Sequence, residues 1–176
     1  MSRSGAERMT LFERFAALGW PGGLISALCA VLLAVLANLY IFVLRPFGAT
    51  QGIPIGETGP VGAVIGTIVP YVWLGLFAGM GAAFWLLVRK RQGMGSGAWL
   101  VVVLILLCAG YPVYTANLNQ PLVALAGNGA VVAVAAIAAW RSAPVSRAAA
   151  LLLLPVIGWV SLASVALVAL ITGQSF

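Results

Sequence analysis

The side chains best placed to do chemistry in this sequence are aromatic and amide groups inside or beside long apolar runs. Acids and bases are scarce, since the chain has no histidine, no aspartate and three glutamates that all lie outside those runs. General acid–base catalysis needs titratable groups held together, and metal sites need clustered ligands. The two cysteines, Cys29 and Cys108, lie in separate apolar runs. We therefore expect no enzyme activity, no metal site and no cofactor.

Two of the aromatic residues share one helical face. Trp73 and Phe77 stand four residues apart, a spacing that brings side chains together on a helix. Pro70 stands near Trp73 and Pro155 near Trp159, and a proline kink opens space between helices. Such a set can line an apolar pocket, while packing between helices and interface anchoring is the interpretation that the spacing alone favours.

The elements that must position these side chains are transmembrane helices. Of the 176 residues, 63% are hydrophobic and 7% are charged, against about 45–50% and 25% in soluble domains. A span needs about 20 apolar residues. The apolar runs predict an all-α, five-transmembrane-helix bundle in a polytopic membrane protein, with spans at about 24–44, 65–88, 98–115, 122–140 and 148–172.

The charged residues predict the orientation of these spans. Lys and Arg concentrate on the cytoplasmic side of membrane proteins. Eight of the nine basic residues fall on one side of the predicted spans, namely Arg3, Arg8, Arg14, Arg89, Lys90, Arg91, Arg141 and Arg147, against Arg45 on the other. The asymmetry predicts a cytoplasmic N-terminus in a multi-pass protein of the bacterial inner membrane.

The rest of the domain organisation follows from this topology. Residues 1–23 form a cytoplasmic tail, in which the capping box Thr10 to Glu13 favours a short interfacial helix over an unordered tail. Residues 24–176 form the membrane domain, with the Gly- and Pro-rich segment 45–64 as an outward loop.

Two further patterns bear on partners. The net charge of +6 comes from residues beside span ends, where they meet lipid headgroups, so we expect the lipid bilayer and no nucleic acid as a partner. Small residues recur four apart, as in Gly75 and Gly79. They predict close helix approach within one bundle, in a homodimer or against another membrane subunit.

Two stretches carry a family resemblance. Residues 71–83, YVWLGLFAGMGAA, match the pattern P-V-W-T-x-L-Y-x-x-M-G-x-A, and residues 152–163, LLLPVIGWVSLA, match L-L-x-P-Y-x-x-W-V-x-F-A. Tyr40 with Arg45-Pro46, and Tyr111-Pro112, match more weakly. The chain resembles the tryptophan-rich sensory proteins, the TspO/MBR family, which include the mitochondrial translocator protein.

The resemblance implies a five-helix bundle, often dimeric, whose pocket opens toward the long loop and accepts flat hydrophobic ligands such as porphyrins or other tetrapyrroles. It also implies a role in ligand binding, with transport or sensory and regulatory functions. The ligand-binding positions that it carries over are Tyr40, Trp73, Phe77, Trp159 and Ala163.

The chain also departs from the family pattern. The loop lacks W-x-P-P, the family's asparagines are replaced near Leu107 and at Leu167, and residues 167–176 lack the Tyr and the Lys or Arg of a proposed sterol-recognition pattern. Sterol binding is therefore not expected. These losses suit an alternative function as a non-catalytic structural or assembly subunit of a larger membrane complex, and a small transporter or channel is a third reading.

Overall fold

The computed structural model describes Arg14 and residues 17–44, 60–116 and 121–172. Most of the predicted interfacial helix, and residues 45–59 of the predicted loop, lie outside this part of the chain. Its elements are α1 (Trp20–Asn38) with a π-helical extension (Leu39–Leu44), α2 (Pro60–Arg91), α3 (Ser96–Ala116), α4 (Pro121–Ser142) and α5 (Arg147–Thr172). Because the described residues hold helices and no strand, the predicted all-α fold is confirmed.

The helices have the length and composition of membrane spans. Four of them, α1 with its extension, α2, α4 and α5, are long and apolar enough to cross a bilayer, and α3 contains a shorter apolar stretch, Ser96–Pro112. Each predicted span lies within one of the five helices. The chain is therefore an integral, multi-pass membrane protein that contacts the lipid bilayer, while the division into tail and membrane domain stays a prediction.

Proline fixes where α2 begins. The helix starts at Pro60, so residues 60–64 are helical although the sequence pattern predicts that they belong to the loop. A proline suits the first helical position, because its φ angle is already helical and the N–H it lacks would have no partner within the helix. The extra residues lengthen α2 at the end that faces the pocket described below.

The five helices form one bundle in which α2 is central. It packs against α1 on one side and α5 on the other, α4 packs against α5 and α3, and α3 closes the bundle by contacting α1 and α2. The core between them contains the unbranched side chain of Met80 and small or branched side chains, all fully buried, such as Ala83, Val101, Ala135 and Leu153.

Helices α1 and α2 approach most closely near the start of α1. The Ser26 hydroxyl donates a 2.7 Å hydrogen bond to the Gly81 carbonyl. A Cβ atom on Gly81 would lie 2.8 Å from the Ala27 Cα and closer still to the Ser26 carbonyl oxygen. Only glycine leaves room for this backbone contact, as at the small-residue seams of other membrane helices.

Basic residues gather at this same end of the bundle. Arg89, Lys90 and Arg91 end α2, Arg141 lies in the last turn of α4, and Arg147 begins α5. All five are exposed. The Arg89 guanidinium lies 5.0 Å from the Trp85 ring centroid, and that of Arg141 lies 5.5 Å from the Trp140 ring centroid. We refer to this end as the basic end.

A candidate ligand pocket between three helices

A cavity lies away from the basic end, between the end of α1, the first half of α2 and the end of α3. Its volume is about 660 Å³, within the roughly 300–1,000 Å³ of small-molecule sites. The described residues that line it are Ala34, Val35, Asn38, Leu39, Phe42, Val43, Val69, Pro70, Trp73, Leu74, Phe77, Cys108, Tyr111 and Pro112.

Local backbone features accompany the opening between these helices. The end of α1 is π-helical over Leu39–Leu44, a conformation that occurs mostly as short bulges and often at functional sites. Pro70 and Pro112 lie inside α2 and α3 and line the cavity. Each proline lacks the backbone N–H that would donate a helical hydrogen bond. In each of the three helices, the regular α-helical hydrogen-bonding pattern is therefore interrupted beside the cavity.

The cavity is a funnel with a closed floor. Ala34, Phe77 and Cys108 form the floor, and each is 3% exposed. Along α1 the lining is open, with Val35 45% and Leu39 48% exposed, and exposure reaches 65% at Val43 near the end of the helix. We call the region around Phe42, Val43 and Pro70 the mouth. It lies at the end of the bundle where α1 ends and α2 begins.

Three aromatic rings meet in the lining. The Trp73 ring centroid lies 6.1 Å from that of Phe77 and 6.5 Å from that of Tyr111. The Trp73 and Tyr111 ring planes differ by 30°. Aromatic pairs at such separations attract one another through offset or tilted geometries. The cluster offers flat apolar faces from two helices to whatever occupies the funnel.

The lining is almost free of polar groups and carries no charge. Its residues include no Asp, Glu, Lys or Arg. The Asn38 side-chain amide donates a 2.8 Å hydrogen bond to the Ala34 carbonyl, so one of its donors is used within α1. The cavity therefore suits an apolar ligand, since an ion without a partner is costly to bury.

The five predicted site residues do not all meet in this pocket. Trp73 and Phe77 line it together. Tyr40 is 49% exposed and stands between Leu39 and Phe42, which line the cavity although Tyr40 does not. Trp159 and Ala163 are partly buried on α5, and Trp159 packs against the core. A role of these five residues in binding stays a prediction.

Twelve of the fourteen lining residues were not among the predicted site positions, and Asn38, Phe42 and Tyr111 are the ones with amide or aromatic side chains. Tyr111 carried a usable signal, because Tyr111-Pro112 stands where the family pattern has W-S-P. Asn38 carried another, as an amide within an apolar span. Phe42 carried none, because an aromatic residue near a span end is equally suited to the membrane interface.

The fold and the pocket together define a class, the polytopic helical membrane proteins with an apolar, aromatic cavity between their spans. The model of the TspO/MBR family matches residues 58–172. The match includes all of α2, α3, α4 and α5 and the Trp73, Phe77 and Tyr111 cluster, and this chain belongs to the TspO/MBR family. No curated protein and no solved structure matches it.

Proposed function

We propose that this protein binds a flat hydrophobic ligand of the porphyrin or tetrapyrrole type in the funnel between α1, α2 and α3. The observation that carries the proposal is an uncharged cavity of about 660 Å³ flanked by the rings of Trp73, Phe77 and Tyr111. Large aromatic surfaces gain from stacking beyond the area they bury, and a macrocycle offers such a surface.

Ligand binding serves a transport or sensory role in this proposal, and no catalytic step is assigned to the protein. The polar side chains of the lining are uncharged, namely the Asn38 amide, the Cys108 thiol and the Tyr111 hydroxyl. General acid–base chemistry requires a group that titrates near neutral pH, and the chain has no histidine. We accordingly propose that the pocket is a binding site that takes up and releases the ligand without modifying it chemically.

The proposal also assigns an orientation and a membrane. The basic end, with Arg89, Lys90, Arg91, Arg141 and Arg147, faces the cytoplasm of a bacterial inner membrane, as the positive-inside rule requires. The mouth of the funnel then opens toward the outer side. A homodimer is the proposed assembly, and a second subunit would cover apolar helix surface that is otherwise in contact with lipid.

Titration of protoporphyrin into nanodisc-embedded protein, followed by quenching of tryptophan fluorescence, tests the proposed site. We expect saturable binding, weakened about tenfold by Trp73→Leu, because stacking of a nucleobase, a smaller flat ring system, on one aromatic side chain is already worth roughly 1–3 kcal/mol. Trp99→Leu is the matched control, since Trp99 is 58% exposed and lies at the other end of the bundle. It should leave the affinity unchanged.

A third variant tests whether α5 takes part. If Trp159 borders the ligand as the family pattern implies, Trp159→Leu should weaken binding as much as Trp73→Leu does. If the funnel between α1, α2 and α3 is the whole site, Trp159→Leu should leave the affinity within about threefold of wild type, because core packing contributes to binding only indirectly. Linear quenching that none of the variants changes would contradict the proposed function.

A further inference from the structure

The distribution of charge and exposure along the funnel bears on which macrocycles it admits. The deepest residues are Ala34, Phe77 and Cys108, at 3% exposure each, and they present a methyl group, a ring and a thiol. The basic residues at the basic end lie at the opposite end of the bundle. A carboxylate carried to the floor would thus meet no cation among the described residues.

The cost of placing an ionised group at the floor is large. A charge moved from water to an apolar site without a partner costs several kcal/mol or more, and such a group becomes neutral instead. At the mouth, by contrast, Phe42 and Val43 lie in the last turn of the first span, which ends at Leu44. The ends of a membrane span lie at the level of the headgroups, so an ionised group placed there reaches headgroups and water.

We infer that the funnel selects macrocycles by the position of their ionised groups: it admits those whose ionised groups lie along one edge, or that have none, and holds the apolar edge against Phe77 and Cys108. This inference rests on the proposed function and adds the substrate class to it. Trp73 and Tyr111 face the macrocycle plane between floor and mouth, where their rings lie 6.5 Å apart.

Four ligands test the inference on the wild-type protein: two acids that differ in the position of their propionates, and the dimethyl ester of each. Protoporphyrin IX carries its two propionates on adjacent pyrrole rings. A positional isomer with the propionates on opposite rings has the same formula and the same charge. The dimethyl esters of both compounds remove the charge and keep the shape. Dissociation constants are measured in nanodiscs by tryptophan quenching, with each ligand also titrated into empty nanodiscs to correct for partition into lipid.

The expected result is that the opposite-propionate acid binds at least about tenfold more weakly than protoporphyrin IX, because one of its carboxylates must approach the floor. Both esters should bind within about threefold of protoporphyrin IX, since carboxylates at the mouth remain solvated and screened. Only the opposite-propionate acid should therefore lose affinity, which means that the effect of the charge depends on its position.

Two results would overturn the inference. Equal binding of both acids would mean that the floor tolerates an ionised group, and equal weakening of the opposite-ring acid and its ester would mean that shape, and not charge, excludes them. Either would leave the proposed function intact. Absence of saturable binding by all four compounds would instead remove the proposed function itself.

Discussion

Helices α1 and α2 are in contact at one end and separated at the other, and the two regions use different residues. Near the basic end the contact is made by backbone, with the Ser26 hydroxyl 2.7 Å from the Gly81 carbonyl oxygen. Further along, the same two helices border a cavity of about 660 Å³ lined by Phe42 and Trp73. In lipid no hydrophobic effect drives helices together, so close packing must do so. The comparison indicates that the close helix contact and the proposed ligand site occupy separate stretches of one helix pair.

The largest effect is expected from a methyl group at the close contact. Gly81→Ala should lower the free energy of unfolding by about 2–3 kcal/mol through overpacking, even though alanine is intrinsically about 1 kcal/mol better than glycine in a helix. The methyl group would meet backbone atoms of Ser26 and Ala27, which cannot rotate away. Unfolding of the detergent-solubilised protein by increasing fractions of SDS measures the change.

Gly75 provides the matched control on the same helix. A Cβ atom there would have no neighbour within 4 Å, so Gly75→Ala should be neutral or stabilise the protein by up to about 1 kcal/mol. If both substitutions lower stability equally, the close contact at Gly81 is not what holds α1 to α2, and the contrast between the two regions fails.

Filling the floor of the funnel should affect binding and spare stability. Ala34→Leu adds three carbon atoms beside Phe77 and Cys108, and we expect protoporphyrin affinity to fall about tenfold, or about 1.4 kcal/mol. Because the cavity has room for the larger side chain, the free energy of unfolding should change by less than about 1 kcal/mol. Fluorescence titration and SDS unfolding of the same preparation measure both quantities.

The same substitution on a lipid-facing surface serves as its control. Ala133 is exposed on α4, and Ala133→Leu should alter neither quantity. A loss of affinity in Ala133→Leu as large as that in Ala34→Leu would show that added bulk acts through the bundle as a whole. That result would contradict the proposal that the floor contacts the ligand.

The smallest effect concerns the hydroxyl at the close contact. Ser26→Ala removes a hydrogen bond between helices and should cost about 0.6 kcal/mol, the average for such bonds in membrane bundles. Ser164→Ala removes a bond of similar length, 2.8 Å, in which the hydroxyl donates to the Val160 carbonyl of its own helix. This variant should be closer to neutral, because a bond within one helix does not hold two helices together. A larger loss for Ser164→Ala in SDS unfolding would contradict this assignment.

Sequence reasoning located the helices well and the pocket only in part. The length and apolarity of each run identify a span, and the family pattern identified Trp73 and Phe77, which line the funnel. The same pattern includes Met80 and Gly81, and the structure gives these two a packing role: Met80 is fully buried and Gly81 contacts α1. A motif residue can thus be retained for close helix approach as readily as for a ligand.

The remainder of the pocket could not be deduced from sequence for a physical reason. In a soluble helix the apolar stripe shows which face is buried, but α1 and α3 are apolar all round because their outer faces meet lipid. Nothing in the sequence shows that Asn38, Phe42 and Tyr111 turn toward one cavity. That information resides in how α1, α2 and α3 pack against one another.

The close contact between Ser26 and Gly81 has a mechanical consequence. Val43 at the mouth lies about 25 Å along the helix axis from Ser26, at about 1.5 Å per residue. If α1 tilts as a rigid helix about this contact, the displacement of a residue increases with its distance from Ser26. A tilt of α1 by about 5° around this contact would displace the mouth by about 2 Å while moving the Ser26 region hardly at all. Because Ile41 beside the mouth is 1% exposed, the entrance can widen in this way only if Ile41 repacks against its neighbours.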